Sequence, residues 1–280
     1  MERSRTPVRK LVTKILSLVV VLLILLFVLI PVGWIVLTSF KTRTEIFTPG
    51  FILPGKLSLD NYFSAFYDFG FGYKLTNSIV IASLTTLVSL VLGIPAAYAL
   101  SRYRFRGSNF LASWIIAQRM LPSIATAIPL FIMFVSLQII DTYLGMILAY
   151  LTFSLPFSIW LLRGYFIDMP REIDEAAFVD GCSEYQMLLR IFLPLAGPGI
   201  AVTAIFVFLL SWNEFFLALI LTRTVATTVP VGMAAFMQHY RIAWGETAST
   251  MVVVLIPLLL WIQVLQKHIV RGLTMGAVKG

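Results

Sequence analysis

Charged residues are scarce in this chain, and chemically versatile ones are scarcer. Asp, Glu, Lys and Arg make up 12% of the 280 residues, where a soluble domain carries about 25%. The single cysteine, Cys182, excludes an intramolecular disulfide. Only two histidines occur, His239 and His268, and neither has Cys, His or carboxylate neighbours at metal-ligand spacing. No Walker A pattern, G-x-S-x-G or H-E-x-x-H stretch is present. A phosphate-binding loop of the Walker kind, a nucleophile elbow and a zincin site are therefore excluded. No catalytic residue, metal ligand or bound cofactor is expected. The chain also lacks an internal repeat, so an inverted-repeat transporter gains no support. It lacks the period-two alternation of an outer-membrane barrel strand as well.

What the chain has is apolar length. Hydrophobic residues reach 59% and the mean hydropathy is +0.93. A helix needs ~20 mainly apolar residues to cross the hydrocarbon core. Six segments qualify, at roughly 15–40, 75–100, 110–137, 143–166, 196–221 and 249–270. Pro95, Pro122, Pro129, Pro156 and Pro257 fall inside them, as bundled membrane helices tolerate. The first run, after "MERSRTPVRK", is far longer than the ~7–15 residues of a signal-peptide core, and no small-x-small cleavage site follows. It reads as a retained anchor. The expected class is an all-α polytopic membrane protein with six transmembrane helices.

The basic excess, 21 Lys and Arg against 13 Asp and Glu, does not point to nucleic acid, because the charges flank the apolar runs. Arg3, Arg5, Arg9, Lys10 and Lys14 precede the first. Arg102, Arg104 and Arg106 separate the second from the third. Arg163, Arg171 and Arg190 lie between the fourth and fifth, and Lys267, Arg271 and Lys279 follow the sixth. These are alternate connections, so the positive-inside rule puts both termini in the cytoplasm. The other face holds Lys41, Arg43, Lys56, Lys74, Arg223 and Arg241. The expected plan is a cytoplasmic N-terminus (1–14), a first span (15–40) and an extracytoplasmic loop (41–74). A core of five spans (75–270) then contains a long cytoplasmic loop (167–195), and a cytoplasmic tail (271–280) ends the chain.

That loop is the most polar long stretch, "EAAFVDGCSEYQMLLRIFLP" at 175–194. Pro170 suits a helix start, and Glu172, Asp174 and Glu175 favour the positive end of the helix dipole. Ala176 and Ala177 are strong helix formers. Gly181 interrupts, Ser183 with Gln186 makes a capping box for a second helix, and Leu193-Pro194 ends it. The small residues 176, 177 and 181 lie close to one face, where another surface could approach the backbone. On physical grounds alone, a helix pair that merely links two spans fits equally well.

The spacing E-A-A-x3-G-x9-I-x-L-P is met without a gap by Glu175, Ala176, Ala177, Gly181, Ile191, Leu193 and Pro194. Seven fixed positions should match by chance on the order of once in 10⁵–10⁶ chains. This resembles the signature loop of the membrane subunits of bacterial ABC importers. Within that family the chain looks like maltose- and oligosaccharide-type permeases, in particular the shorter six-span partner. "PVGWIVLTSFKT", "NSIVIASLTTLVSLVLGIPAAYALSRYRFRG", "RMLPSIATAIPLF", "SWNEFFLAL" and "RGLTMGAVKG" carry the likeness in order.

The resemblance implies a type I importer permease fold, multi-pass in a bacterial plasma membrane. It implies carriage of a sugar, oligosaccharide or polyol. It also implies a second permease subunit, an extracytoplasmic solute-binding protein and two ATPase subunits that hold ATP-Mg. Glu175, Ala176, Ala177, Asp180, Gly181, Ile191, Leu193 and Pro194 become the ATPase-coupling residues. The glycine-rich tail becomes a second contact with the ATPase pair, against the plain reading of a frayed terminus.

Ionisable residues at membrane depth are functional candidates by default. Arg119 with Gln118, and Glu214 with Asn213, fall inside the third and fifth apolar runs. Three readings stand: lining a substrate path, pairing with each other, or snorkelling to an interface. Pro122 and Pro129 should open the helix nearby. An importer for another solute class, an ion-coupled transporter using Arg119 and Glu214 as a relay, and a scaffold without transport are the alternatives.

Overall fold

A computed structural model of the chain describes residues 7–50, 53–237 and 243–276, with 7–10, 237 and 265–276 as backbone alone. Arg3, Arg5, His239, Arg241, Lys279 and the last four tail positions lie outside the described residues. Every regular element among the described residues is helical. In chain order they are α1 (Pro7–Ser39), α2 (Arg43–Phe47), α3 (Asp60–Phe63), α4 (Phe71–Arg102), α5 (Ser108–Ala117), α6 (Ser123–Ser136) and α7 (Tyr143–Ile167). There follow α8 (Glu172–Val179), α9 (Glu184–Gln186), α10 (Leu193–Leu195), α11 (Gly197–Trp212), α12 (Phe216–Leu221), α13 (Val229–Ala234) and α14 (Trp244–Gly276).

Among the described residues, four helices are long and apolar enough to cross a membrane: Leu11–Ser39, Phe71–Arg102, Tyr143–Ile167 and Trp244–Val264. The count reaches six if each of two bent pairs is one span. The first pair, Ser108–Met120 with Ser123–Ser136, turns by 93°. The continuous run expected at 110–137 is thus broken, and the cause is local. Residues Gln118–Met120 tighten into a 3₁₀ turn, Leu121 is extended (φ −70°, ψ 126°), and Pro122 has no N–H to carry the ladder on. Pro129, expected to open the helix too, sits inside an unbroken α6.

The chain divides into two compact units, Met1–Gly70 with Phe236–Val253, and Phe71–Ala235 with Val254–Gly280. In the first, the most apolar stretch of α1 buries none of its residues. The C-terminal end of α1 is held by Asn61, whose Nδ2 donates to the carbonyls of Ser39 (3.0 Å) and Lys41 (2.8 Å). Ser249 Oγ donates to the Asn61 carbonyl at 3.1 Å. Gly245 lies so close to the Asn61 side chain that any Cβ there would collide with it.

The second unit is built on α4 and α7. Along α4, Ile81, Thr85, Ser89, Gly93 and Ala97 are buried at four-residue intervals, and Met146, Tyr150, Ser154, Ser158, Leu162 and Phe166 match them along α7. This ridge-on-ridge seam is mostly small or hydroxylated, as membrane helix contacts favour. Ser89 Oγ and Ser154 Oγ share a hydrogen bond of 3.0 Å, and Ser158 Oγ donates to the Ser89 carbonyl at 3.0 Å. Gly93 leaves room for Ser158: a Cβ at 93 would stand 2.5 Å from its hydroxyl.

At one end of the seam, Asn77 is fully buried and donates to the carbonyls of Val225 (2.8 Å) and Thr227 (2.9 Å). Ser78 Oγ accepts from the Val229 N–H at 2.8 Å. Asp141, in the left-handed region at φ 56°, accepts the four successive backbone N–H groups of 223–226 at 2.9–3.0 Å. Burial raises the Asp141 carboxyl, and these four donors outweigh it, holding it down to about 2.

Candidate functional site

The 167–195 loop folds as the spacing suggested in its middle and otherwise at its ends. Helix α8 begins at Glu172, two residues after Pro170, with Glu172, Asp174 and Glu175 in its first turn. Gly181 has φ +75°, its N–H donates to the Phe178 carbonyl and the Cys182 N–H to the Ala177 carbonyl, both at 3.0 Å. These paired bonds form a Schellman stop. Ser183 and Gln186 form the expected capping box, with Ser183 N–H to Gln186 Oε1 at 2.9 Å and the reciprocal bond at 3.4 Å.

Leu193-Pro194 does not end the second helix. Leu193 is helical (φ −60°, ψ −47°), because residues 187–192 widen into a π turn and Pro194 falls at the start of the short helix that follows. There its missing N–H costs little. The turn comes at Ala196, where Glu184–Leu195 and Gly197–Trp212 meet at 76°.

The face assigned to small residues is also corrected. Ala177 is 3% exposed and packs with Tyr98, Met187, Phe192 and Ala196 in the chain's own core. Ala176 and Gly181 are exposed, as are Glu175, Asp180 and Pro194. Ile191 and Leu193 are half-buried. The apolar groups turned outward are ones that sequence reasoning missed: Phe178 (76% exposed), Val179 (85%) and Tyr185 (70%). Two adjacent large apolar residues just before a helix-stop glycine were a readable signal.

Arg102, at the end of α4, ties this loop down. Its guanidinium lies 3.4 Å from Asp174 Oδ2, donates to the Met169 carbonyl at 3.2 and 3.3 Å, and stacks 4.8 Å over Phe192. This is the one ion pair among the described residues. Beside it opens a cavity of about 760 Å³ lined by Tyr98, Tyr103, Asp174, Phe178, Cys182 and Glu184 among others. Burial, then the neighbouring Tyr98 and a hydrogen bond to Glu184, push the Tyr103 phenol above its ordinary range.

The four intramembrane candidates do not form one cluster. Arg119, exposed on its 3₁₀ turn, lies over the Phe157 ring at 4.4 Å. Phe157 in turn contacts Trp160 and Phe206, with ring centroids at 6.3 and 6.1 Å. Glu214 Oε1 accepts the Leu217 N–H at 2.6 Å, capping α12, and Asn213 Nδ2 donates to the Leu209 carbonyl at 2.8 Å. The alternative of an Arg119–Glu214 pair is therefore not realised. Gln118 is half-buried beside Arg119.

The match to known families decides the wider assignment. Residues 89–275 match the family described as binding-protein-dependent transport system inner membrane component. The chain belongs to that family. Among the relatives of this family member, the trehalose transport system permease protein SugB of Mycobacterium tuberculosis is 38% identical over 257 residues, covering 91% of this chain and 93% of that protein. The trehalose/maltose transport system permease protein MalG of Thermococcus litoralis is also 38% identical over 257 residues, covering 90% and 92%. A crystal structure of a bacterial ABC transporter that imports the acidic polysaccharide alginate contains a chain of the same fold. Its TM-score is 0.75 at 24% identity, over 92% of this chain and 96% of that one. The inner-membrane component is thus a multi-helix membrane protein of transport type, with the 167–195 loop inside the matched region.

Proposed function

We propose that the protein is the permease subunit of an ATP-driven importer, forming half of a translocation path for a sugar, oligosaccharide or polyol. The observation that carries this is the gapless signature loop, folded as two capped helices that present Phe178, Val179 and Tyr185 outward from a base fixed by Arg102. A purely linking loop has no use for large apolar groups held in water. The carbohydrate class is supported by the substrates in the names of the trehalose and maltose relatives.

In this reading the chain is multi-pass in a bacterial plasma membrane, with six spans, each bent pair counted as one, and both termini in the cytoplasm. It associates with a second permease, two ATPase subunits and an extracytoplasmic solute-binding protein. ATP-Mg is held by the ATPase subunits, and no step of hydrolysis uses this chain. Glu175, Ala176, Asp180 and Gly181 line the ATPase contact with Phe178 and Val179. Ala177, Ile191, Leu193 and Pro194 shape the loop from behind. Closure of the ATPase pair pulls α8. Asp174 and the Met169 carbonyl pass that pull to Arg102 and so to α4, while the bends at Pro122 and Ala196 take up the rearrangement. Arg119 with Phe157 and Gln118, and Glu214 with Asn213, line the path, where rings and hydrogen-bonding groups suit a polyhydroxylated solute.

The test is a mild-detergent pull-down from the native locus, comparing wild type with Phe178→Ala/Val179→Ala. Both side chains are exposed, so the fold should be unaffected. Wild type should bring down an ATPase and a second permease, and the variant should lose the ATPase alone. Wild type recovered alone, with uptake intact, refutes the importer.

A further inference from the structure

The basic stretch "SRYRFRGS" at the end of α4 reads as topology charge, but it folds into more than a flank of charges. Between the end of α4, the start of α5 and the last turns of α7 lies a cavity of about 610 Å³. Arg102, Arg104, Arg163 and Arg171 line it, with no acidic residue among its lining groups. Arg102 is already committed to Asp174 and Met169. Arg104 and Arg171 are exposed. Arg163 Nε donates to the Leu100 carbonyl at 3.2 Å, which fixes its guanidinium and leaves the terminal nitrogens for a ligand. Ser108 and Asn109, the first residues of the ten-residue helix α5, complete the polar wall.

A second hollow of about 300 Å³ adjoins it, sharing Leu100, Asn109 and Arg163. Its other walls are formed by Ala112, Ile115, Ile116, Ile159 and Trp160, with the hydroxyl residue Ser113 among them, on α5 and α7. A polar, cationic chamber thus adjoins a trough between two helices whose walls are part apolar, at the level where α4 leaves its apolar run.

We infer that this paired hollow binds an anionic phospholipid, its phosphate among Arg104, Arg163 and Arg171 and one acyl chain along the α5–α7 trough. Basic pockets between membrane helices on the proposed cytoplasmic side suit such head groups. Guanidinium groups bind phosphate by paired N–H donors. A soluble phosphate explains the arginines and leaves the trough without a purpose. An acidic partner surface does the same.

The experiment is native mass spectrometry and thermal shift of the full-length chain in detergent, titrated with phosphatidylglycerol, phosphatidylcholine or inorganic phosphate. Saturable retention and stabilisation by phosphatidylglycerol, and not by phosphatidylcholine, are expected. Arg104→Gln and Arg171→Gln should each weaken it about fivefold, as one surface arginine is worth. Neither side chain is buried, so folding should survive both changes. Equal retention of the two lipids, or undiminished affinity in the double variant, overturns the assignment. Displacement by millimolar inorganic phosphate assigns the chamber to a soluble anion instead.

Discussion

Replacing Asp141 by Asn removes the charge on which the 222–229 connection is folded. The carboxylate accepts four backbone N–H groups, two on each oxygen, at 2.9–3.0 Å. Asn keeps one acceptor oxygen and turns an NH₂ toward two donors, which loses two bonds and adds a repulsion. The depressed carboxyl gives an independent measure. Lowering it from 3.8 to about 2 corresponds to roughly 2.4 kcal/mol when fully ionised. Asp141 is only part-buried, so solvent screening reduces this to about 1–2 kcal/mol.

The sign follows from the lowered value. The contribution is complete above the unfolded value, shrinks below about pH 5, is roughly halved near pH 3 and is lost through pH 2. Thermal unfolding of the detergent-solubilised protein should therefore show Asp141→Asn melting a few degrees lower at pH 7, at ~2–4 °C per kcal/mol for a chain of this size. The gap should be constant from pH 7.5 to 5.5 and should narrow below that. A variant as stable as wild type at pH 7, or a gap unchanged at pH 3, would refute the account.

At the α4–α7 seam, Gly93→Ala should lower stability by about 1–3 kcal/mol through overpacking, and Ser158→Ala in the same chain should recover part of it; expression with melting of the double variant tests the contact. Gly181→Ala should loosen the α8 stop by about 1 kcal/mol because of its positive φ, whereas Gly181→Asn should be tolerated; ATPase recovery in pull-downs separates the two. Glu214→Gln should retain the α12 cap and normal membrane levels yet reduce uptake if the charge serves transport, and Arg119→Ala should do likewise; unchanged uptake for both removes them from the path. Arg102→Gln should raise ATP hydrolysed per solute imported, because Asp174 loses its anchor while α4 remains folded; an unchanged ratio means that Arg102 only supports the loop.

The long helices were legible because apolar length and the absence of charge leave few alternatives at membrane depth. The caps of the 167–195 loop were legible for a different reason: Gly181 and the Ser183/Gln186 pair act through their own backbone within four residues. What the sequence did not reveal depended on the setting of each residue, whether a neighbouring turn or a partner far along the chain. Pro194 reads as a stop by its local rule, but the π turn at 187–192 places it where its missing N–H is harmless. Ala177 reads as one of a set of small surface residues, yet Tyr98 and Phe192 claim it for the core. Arg102 reads as one topology charge among many, yet α8 places Asp174 beside it. The break at 121–122 was half-legible, since two prolines competed and only the first has an extended residue before it.

The distribution of polar groups separates two tasks within the second unit. Inside the helix seam, Asn77, Ser89, Ser154 and Ser158 are neutral and bonded across α4 and α7 or to the connection after α12, and the Thr85 hydroxyl, also neutral, is buried without a hydrogen-bond partner. None needs a counter-ion, so the seam can stay closed at little electrostatic cost. The ionic bonds sit at its two ends, Asp141 on the backbone of 223–226 and Arg102 on Asp174. These respond to charge changes that the seam ignores. Neutralising Asp141 should therefore act on stability and its acid dependence with the coupling ratio intact, whereas neutralising Arg102 should shift the coupling ratio first. A substitution at Asp141 that uncoupled hydrolysis from import would mean that the seam itself carries the motion, and the division between a rigid α4–α7 core and a tethered α8 would have to be abandoned.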